Sequence, residues 1–177
     1  MTITDTQPSN INYLHSNRYK FVIQRLPGIN YFCNAVTIPG INMGNVDVFN
    51  PFIALPNPGD KLSFDPLSLR FKVDEDLKNY LEIMDWMISI GYPDSFEQYK
   101  EVARGNNRLN SPVMGNVFSD ASVVLTTNTF NANKRVKFFN MFPITLSPME
   151  LASDSPDTNP IEASVTFRYQ KFVIESV

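Results

Sequence analysis

One cysteine and one histidine are all the thiol and imidazole chemistry that the 177 residues contain. Cys33 alone cannot close an internal disulfide, and no Cys/His set exists for a zinc site, so a reducing compartment is the simplest expectation. Charge is scarce as well. Charged residues make up 19% of the chain, against roughly 25% in ordinary soluble domains, which suggests an exterior partly covered by neighbours. The net charge of -3 and the lack of a Lys/Arg cluster beyond Lys134-Arg135 exclude a grip on nucleic acid by bulk electrostatics. No apolar run approaches a membrane span, and the polar N-terminus has no signal pattern, so a soluble protein with no membrane partner is expected. Nucleophile elbows, phosphate or dinucleotide loops, EF-hand loops and His-Glu-x-x-His are all missing. Neither catalytic residues nor a cofactor nor a metal site is therefore expected.

What the chain has is aromatic and period-two sequence. Fourteen Phe and seven Tyr tilt it toward β-structure. Asp65 to Tyr92 organises the rest: Leu67, Leu69, Phe71 and Val73 alternate with Ser68, Arg70 and Lys72 as a half-buried strand, and the period then becomes 3.6. Leu77, Tyr80, Leu81, Met84, Met87 and Ile88 fall on one helical stripe. Asp74, Glu75 and Asp76 supply an N-cap and acidic first turn, and Gly91 a left-handed C-terminus, with Pro93 beyond. Read as a metal or acid/base site, that triplet fails, because consecutive residues point in different directions. Trp86 lies at the edge of the stripe, either at the rim of the core or as an aromatic anchor for a second subunit.

In chain order, residues 1 to 17 form a flexible arm that includes His15, read as an exposed arm residue. Residues 18 to 177 form one domain. Arg18 to Arg25 and Tyr31 to Ile38 are strands around a Leu26-Pro27-Gly28-Ile29-Asn30 turn, a hairpin, with Cys33 a small hydrophobe of the second strand. Ile41 to Leu55 is an apolar, proline-bearing excursion. Val46, Val48, Phe49, Phe52 and Ile53 want cover that a central strand with Pro51 and Pro56 cannot give. A hairpin pairing with a neighbouring subunit and a loop folded over its own core both fit. Pro56 to Asp60 reads as a stop and turn. A short second helix starts at Asp94 and ends at Gly105, and a polar loop spans Asn106 to Asn116. Val117 to Thr127 and Arg135 to Phe142 make a second hairpin turning at Asn131 to Asn133. Pro143 begins a break, residues 152 to 160 are a polar loop, and Ile161 to Ile174 is the clearest strand, its register fixed by strict alternation.

The succession YKFVIQRLPG, FCNAVTIPG, excursion, DPLSLRFKVDEDLKNYLEIMDWM, FFNMFPITLS and IEASVTFRYQKF, spread over residues 18 to 174, resembles the tail-tube proteins of contractile-tailed, T-even-like bacteriophages. Asp65, Pro66, Leu67, Phe71, Asp74, Tyr80, Asp85 and Trp86 are most similar to the baseplate tube initiator of that family. The chain departs from it in lacking the initiator's long extra segments and in the length of the 106 to 116 loop. The resemblance implies a mainly β domain with one flanking helix, an antiparallel sandwich or barrel contributing strands to the inner barrel of a homohexamer. It further implies rings stacked into a virion tail tube, assembled in the host cytoplasm, with sheath and baseplate partners, and DNA sliding through the lumen without sequence-specific binding. The resemblance leaves three places open for the ring: tube, initiator or terminator. Val46, Val48, Phe49, Phe52, Ile53 and Trp86 are the expected subunit and ring contacts. The alternative from another class is a monomeric β-sandwich ligand-binding module, with an aromatic platform from Tyr13, Tyr19, Phe32 and Tyr169.

Overall fold

The period-two segments pair into two antiparallel sheets that share one long strand. The computed structural model describes residues 11–91, 117–151 and 160–177. In the first sheet β1 (Tyr19–Ile23) pairs with β6 (Ser119–Thr126), β6 with β7 (Ala132–Leu146), and β7 with β9 (Lys171–Ser176). In the second, β2 (Cys33–Thr37) pairs with β5 (Leu67–Lys72), β5 with β8 (Glu162–Arg168), and β8 with the far end of β7. Cross-strand pairs Leu67 with Phe167, Leu69 with Val165 and Phe71 with Ala163 build one wall of the core. Phe21, Val123, Val136 and Phe138 of the first sheet belong to the same buried cluster.

The corner between the sheets is built by polar residues. β7 pairs with β9 through Phe139 and with β8 from Phe142 onward. Between them Asn140 takes φ 52°, a left-handed conformation that Asn tolerates better than most residues. Its N–H donates to Asp120 Oδ1 at 3.1 Å and its side-chain amide to Gln170 Oε1 at 2.7 Å. The long C-terminal strand expected from Ile161 to Ile174 therefore bends at Tyr169-Gln170 into β8 and β9. Likewise β7 continues through Pro143, where a break was expected, and the β6–β7 turn lies at Thr127 to Asn131 rather than at Asn131 to Asn133.

The first expected hairpin does not form. β1 and β2 pair with different strands, and residues between them coil into a short helix, α1 (Pro27–Phe32). Proline suits the first helical position, where its missing N–H costs nothing. Asn30 then supplies what a partner strand would have: its Oδ1 accepts from the Ile23 N–H at 2.8 Å and its Nδ2 donates to the Ile23 carbonyl at 3.3 Å.

The main helix, α2 (Lys78–Gly91), starts later than the acidic triplet suggests. Asp74 to Leu77 close a turn, Leu77 N–H donating to Asp74 O at 2.9 Å with φ 57° at Leu77, so the first helical turn holds no acid. Gly91 is the last described residue of the helix, and no glycine among the described residues has positive φ. The helix is also rotated from its expected phase. Asn79, Ile83, Trp86 and Ser89 are buried, whereas Leu77 and Leu81 are exposed. Polar anchors decide this. Asn79 Oδ1 accepts from the Asp74 N–H at 3.2 Å while its Nδ2 donates to Lys72 O at 2.8 Å, and Trp86 Nε1 donates to Val117 O at 2.9 Å. The expected helix after Asp94, the 106 to 116 loop and the 152 to 159 stretch lie outside the described residues, as do residues 1 to 10 of the arm.

Candidate assembly surface

Ile41 to Phe64 forms a two-stranded ribbon, β3 (Ile41–Phe49) with β4 (Ala54–Phe64), hydrogen-bonded to neither sheet. Every residue of β3 is exposed. The ribbon is longer than the expected excursion because Pro56 and Pro58 lie inside β4, opposite Asp47 and Asn45, instead of ending it. Both strands of a two-stranded ribbon are edges. Prolines two residues apart turn their nitrogens the same way, so both can face outward without breaking the ladder. Gly59 makes a tight crossing possible: a Cβ there would stand 2.6 Å from the Gly44 carbonyl oxygen, beside the register shift between Met43 and Asn45.

The tip presents apolar side chains on a rigid turn. Asn50 Oδ1 accepts from the N–H groups of Phe52 at 2.8 Å and Ile53 at 3.1 Å, and the Asn50 N–H donates to Ile53 O at 3.1 Å. Phe52 is 95% and Phe49 80% exposed, with Val46, Val48 and Ile53 also open. The fold thus brings five of the six expected contact residues onto one arm. Trp86 is corrected: at 1% exposure, with its ring tilted on Phe167 at 6.1 Å, it is core, and nothing outside the subunit can touch it. Hydropathy places tryptophan at a boundary. Its bonded N–H and the Arg25 guanidinium 5.0 Å over its ring let it sit deeper. Sequence reading missed Met43 and Leu62, a further exposed cross-strand pair on the ribbon. Alternation resuming after Gly59 was the available signal.

At the ribbon's root, β1 and β2 are the two terminal strands of the sheet order and leave a seam between them. It is bridged by Tyr19, whose hydroxyl donates to Asn34 O at 2.8 Å. Burial raises the pKa of Tyr19, and the adjacent Cys33 adds to it. Burial also raises the Cys33 thiol, keeping it protonated as a structural hydrophobe rather than a reactive group. A cavity of about 450 Å³ opens along the seam, lined by Tyr19, Val36, Ile38, Val123 and Leu125. His15 is exposed at its rim. Among the described residues β9 pairs only with β7, leaving another free edge.

The alternative aromatic platform does not assemble. Phe32 stacks edge-on to Tyr31, Tyr169 packs with Phe138 and Phe172, and no ring contact among the described residues joins two of Tyr13, Tyr19, Phe32 and Tyr169. Among the described residues no cluster of His, Cys, Asp or Glu is placed to hold a metal ion, and no described helix is long and apolar enough to cross a membrane.

A family model described as phage tail tube protein matches residues 6–175. The chain belongs to the phage tail tube protein family. This is a family of structural proteins, not of enzymes. No curated protein matches the chain in sequence. Among solved structures, this tail tube protein is similar to the anti-feeding prophage cap, described as its tube-terminating cap, over 100% of both chains, with 14% identity and a TM-score of 0.60. It is similar to the sheath/tube terminator of an extracellular contractile injection system, PVC, over 94% of this chain and 99% of the other, at 15% identity and TM-score 0.56. A chain of the PVC sheath-tube complex matches over 100% and 99%, at 14% identity and TM-score 0.55. At such identities the shared feature is the fold, which is the mainly β, antiparallel architecture read from the strand pattern.

Proposed function

We propose that this chain forms hexameric rings that stack into the inner tube of a contractile phage tail. The observation that carries the reading is the ribbon: β3 is exposed along its whole length and tipped with Phe49, Phe52 and Ile53. A monomer rarely leaves so much contiguous apolar surface open unless a partner covers it. The edge of β9 that pairs with no described strand adds a strand-pairing site through which six subunits could close an inner barrel, removing that edge. In this reading the ribbon bridges subunits or rings, sheath and baseplate proteins contact the outside, and DNA slides through the lumen within the virion. A terminal or initiating ring of the same tube is the second reading. The full-length similarity to a tube-terminating cap favours it.

The ribbon's ends make the test clean. The Asp65 N–H donates to Gly40 O at 3.1 Å, so residues 41 to 64 can be replaced by a short Gly/Ser link without separating β2 from β5. Light scattering across a concentration series, with negative-stain images of the same samples, should show sixfold rings or tubes for the intact chain and folded monomers for the excised one. Tubes from the excised chain would remove the ribbon from the mechanism. A strict monomer from the intact chain would shift the reading to a ring that requires a template.

A further inference from the structure

We infer that the ribbon tip of one copy plugs into the β1/β2 seam of a second copy, Phe52 entering the cavity beside Tyr19. The inference rests on the self-assembly reading above and names the partner site for its bridge. The knob is preformed: the Asn50 side chain holds the N–H groups of Phe52 and Ile53, so little conformational freedom remains to be lost on docking. The hole is apolar, walled by Val36, Ile38, Val123 and Leu125, and its volume of about 450 Å³ lies in the ~300–1,000 Å³ range of pockets that enclose ring-sized groups.

Charge and reach both point to another copy as the occupant. Among the described residues the seam's titratable lining is His15, Arg18 and Tyr19, with no carboxylate, and Arg18 is its one full charge. Asp47 is the only charged residue in the outer half of the ribbon, residues 45 to 58, so an apolar arm with a single negative charge meets an apolar groove whose single charge is the positive Arg18. The groove also opens at Ile38, just before the ribbon's root. A nine-residue strand extends about 30 Å at ~3.3 Å per residue, which carries the tip away from its own seam. A knob at one end and a hole at the other make a heterologous contact, the kind that closes rings or propagates stacks. Unpaired edges of β1 and β2 inside the groove give the incoming strands backbone partners as well.

Phe52→Asp tests this without threatening the fold, since the side chain is solvent-exposed in the subunit. The variant should raise the concentration for half-assembly at least about tenfold, as expected for a buried aromatic anchor, with unchanged far-UV circular dichroism. A second measurement locates the hole. Phe52→Cys and Ile38→Cys are prepared separately on a Cys33→Ser background, mixed and oxidised. A disulfide between the two different chains, absent when Glu175→Cys replaces Ile38→Cys, is the expected result. Assembly of Phe52→Asp at the wild-type concentration, or no selective cross-link while the intact chain assembles, overturns the seam as receptor and leaves the tube reading standing. Failure of the intact chain to assemble overturns this copy-to-copy contact together with unaided self-assembly, and leaves the ring that requires a template.

Discussion

Replacing Asn79 with alanine should destabilise the subunit more than any hydropathy argument would suggest. Asn79 is 2% exposed and holds two backbone groups at the exit of β5, the Asp74 N–H and the Lys72 carbonyl. Alanine leaves both without this partner. Each lost bond costs ~1 kcal/mol, more where the orphaned group stays dry. Lys72 lies near solvent, so water replaces part of one bond, and a total of about 2–3 kcal/mol follows, ~5–10 °C in melting temperature for a chain of this size. Trp86, the sole tryptophan, is buried in the core and reports unfolding by fluorescence in a urea titration, run below the assembly concentration so that association does not add to stability. Asn79→Leu sharpens the test. It makes α2 more amphipathic on paper, but it loses the same bonds and crowds Gly28, whose Cβ position lies 3.7 Å from the Asn79 Cβ. A leucine variant as stable as the parent would refute the claim that polar anchoring sets the helix phase.

The alkaline limb of stability should carry the mark of Tyr169. Its hydroxyl donates to Asp65 O at 2.8 Å, and burial, reinforced by the Asp65 charge, pushes its pKa up to about 12. A pKa raised in the folded state stabilises below the unfolded value near 10 and loses that contribution as pH climbs toward 12. Tyr169→Phe should therefore flatten the pH dependence between those values and delete a late step from the ultraviolet titration at 295 nm; an unchanged titration would reassign the bond. Gly59→Ala places a Cβ against the Gly44 carbonyl at 2.6 Å and should speed amide exchange throughout β3 and β4, while urea unfolding of the sheets shifts by less than ~0.5 kcal/mol. Slow exchange in the ribbon would show that the strands can separate to admit a methyl group.

The strands were legible where alternation was strict and one face was dry. Leu67 to Phe71 and Ala163 to Phe167 announced both their burial and their register, and the mainly β architecture followed. The misreadings share a physical cause, which is that polar atoms with fixed partners outrank hydropathy. Asn30 saturates Ile23 and so removes the need for a hairpin; Asn79 and the Trp86 N–H turn α2 about its axis; Asn140 bends β7 three residues before the proline that was taken as its end. A single side-chain bond to backbone has no periodicity, so a pattern of apolar residues cannot reveal it. For the assembly surface the reverse held. Val46 to Ile53 stood out because apolar residues beside prolines had no place in a central strand. The seam was silent, since Val36, Ile38, Val123 and Leu125 look like ordinary strand residues until β1 and β2 are seen at opposite ends of the sheet order.

The corner at Asn140 has a mechanical consequence. Because β7 runs through it and β8 and β9 follow alongside, neither sheet can peel away without breaking the backbone ladder of the other, and the body answers a load as one stiff unit. Among the described residues the ribbon is joined to that unit through the segments flanking Gly40 and Asp65 and through Phe64, whose ring meets Tyr169 at 6.1 Å and Phe172 at 5.6 Å. Compliance is therefore concentrated in one limb. Subunits joined through such limbs can adjust to a bent or unevenly spaced neighbour while their bodies keep one shape, in the manner of rigid links on short springs.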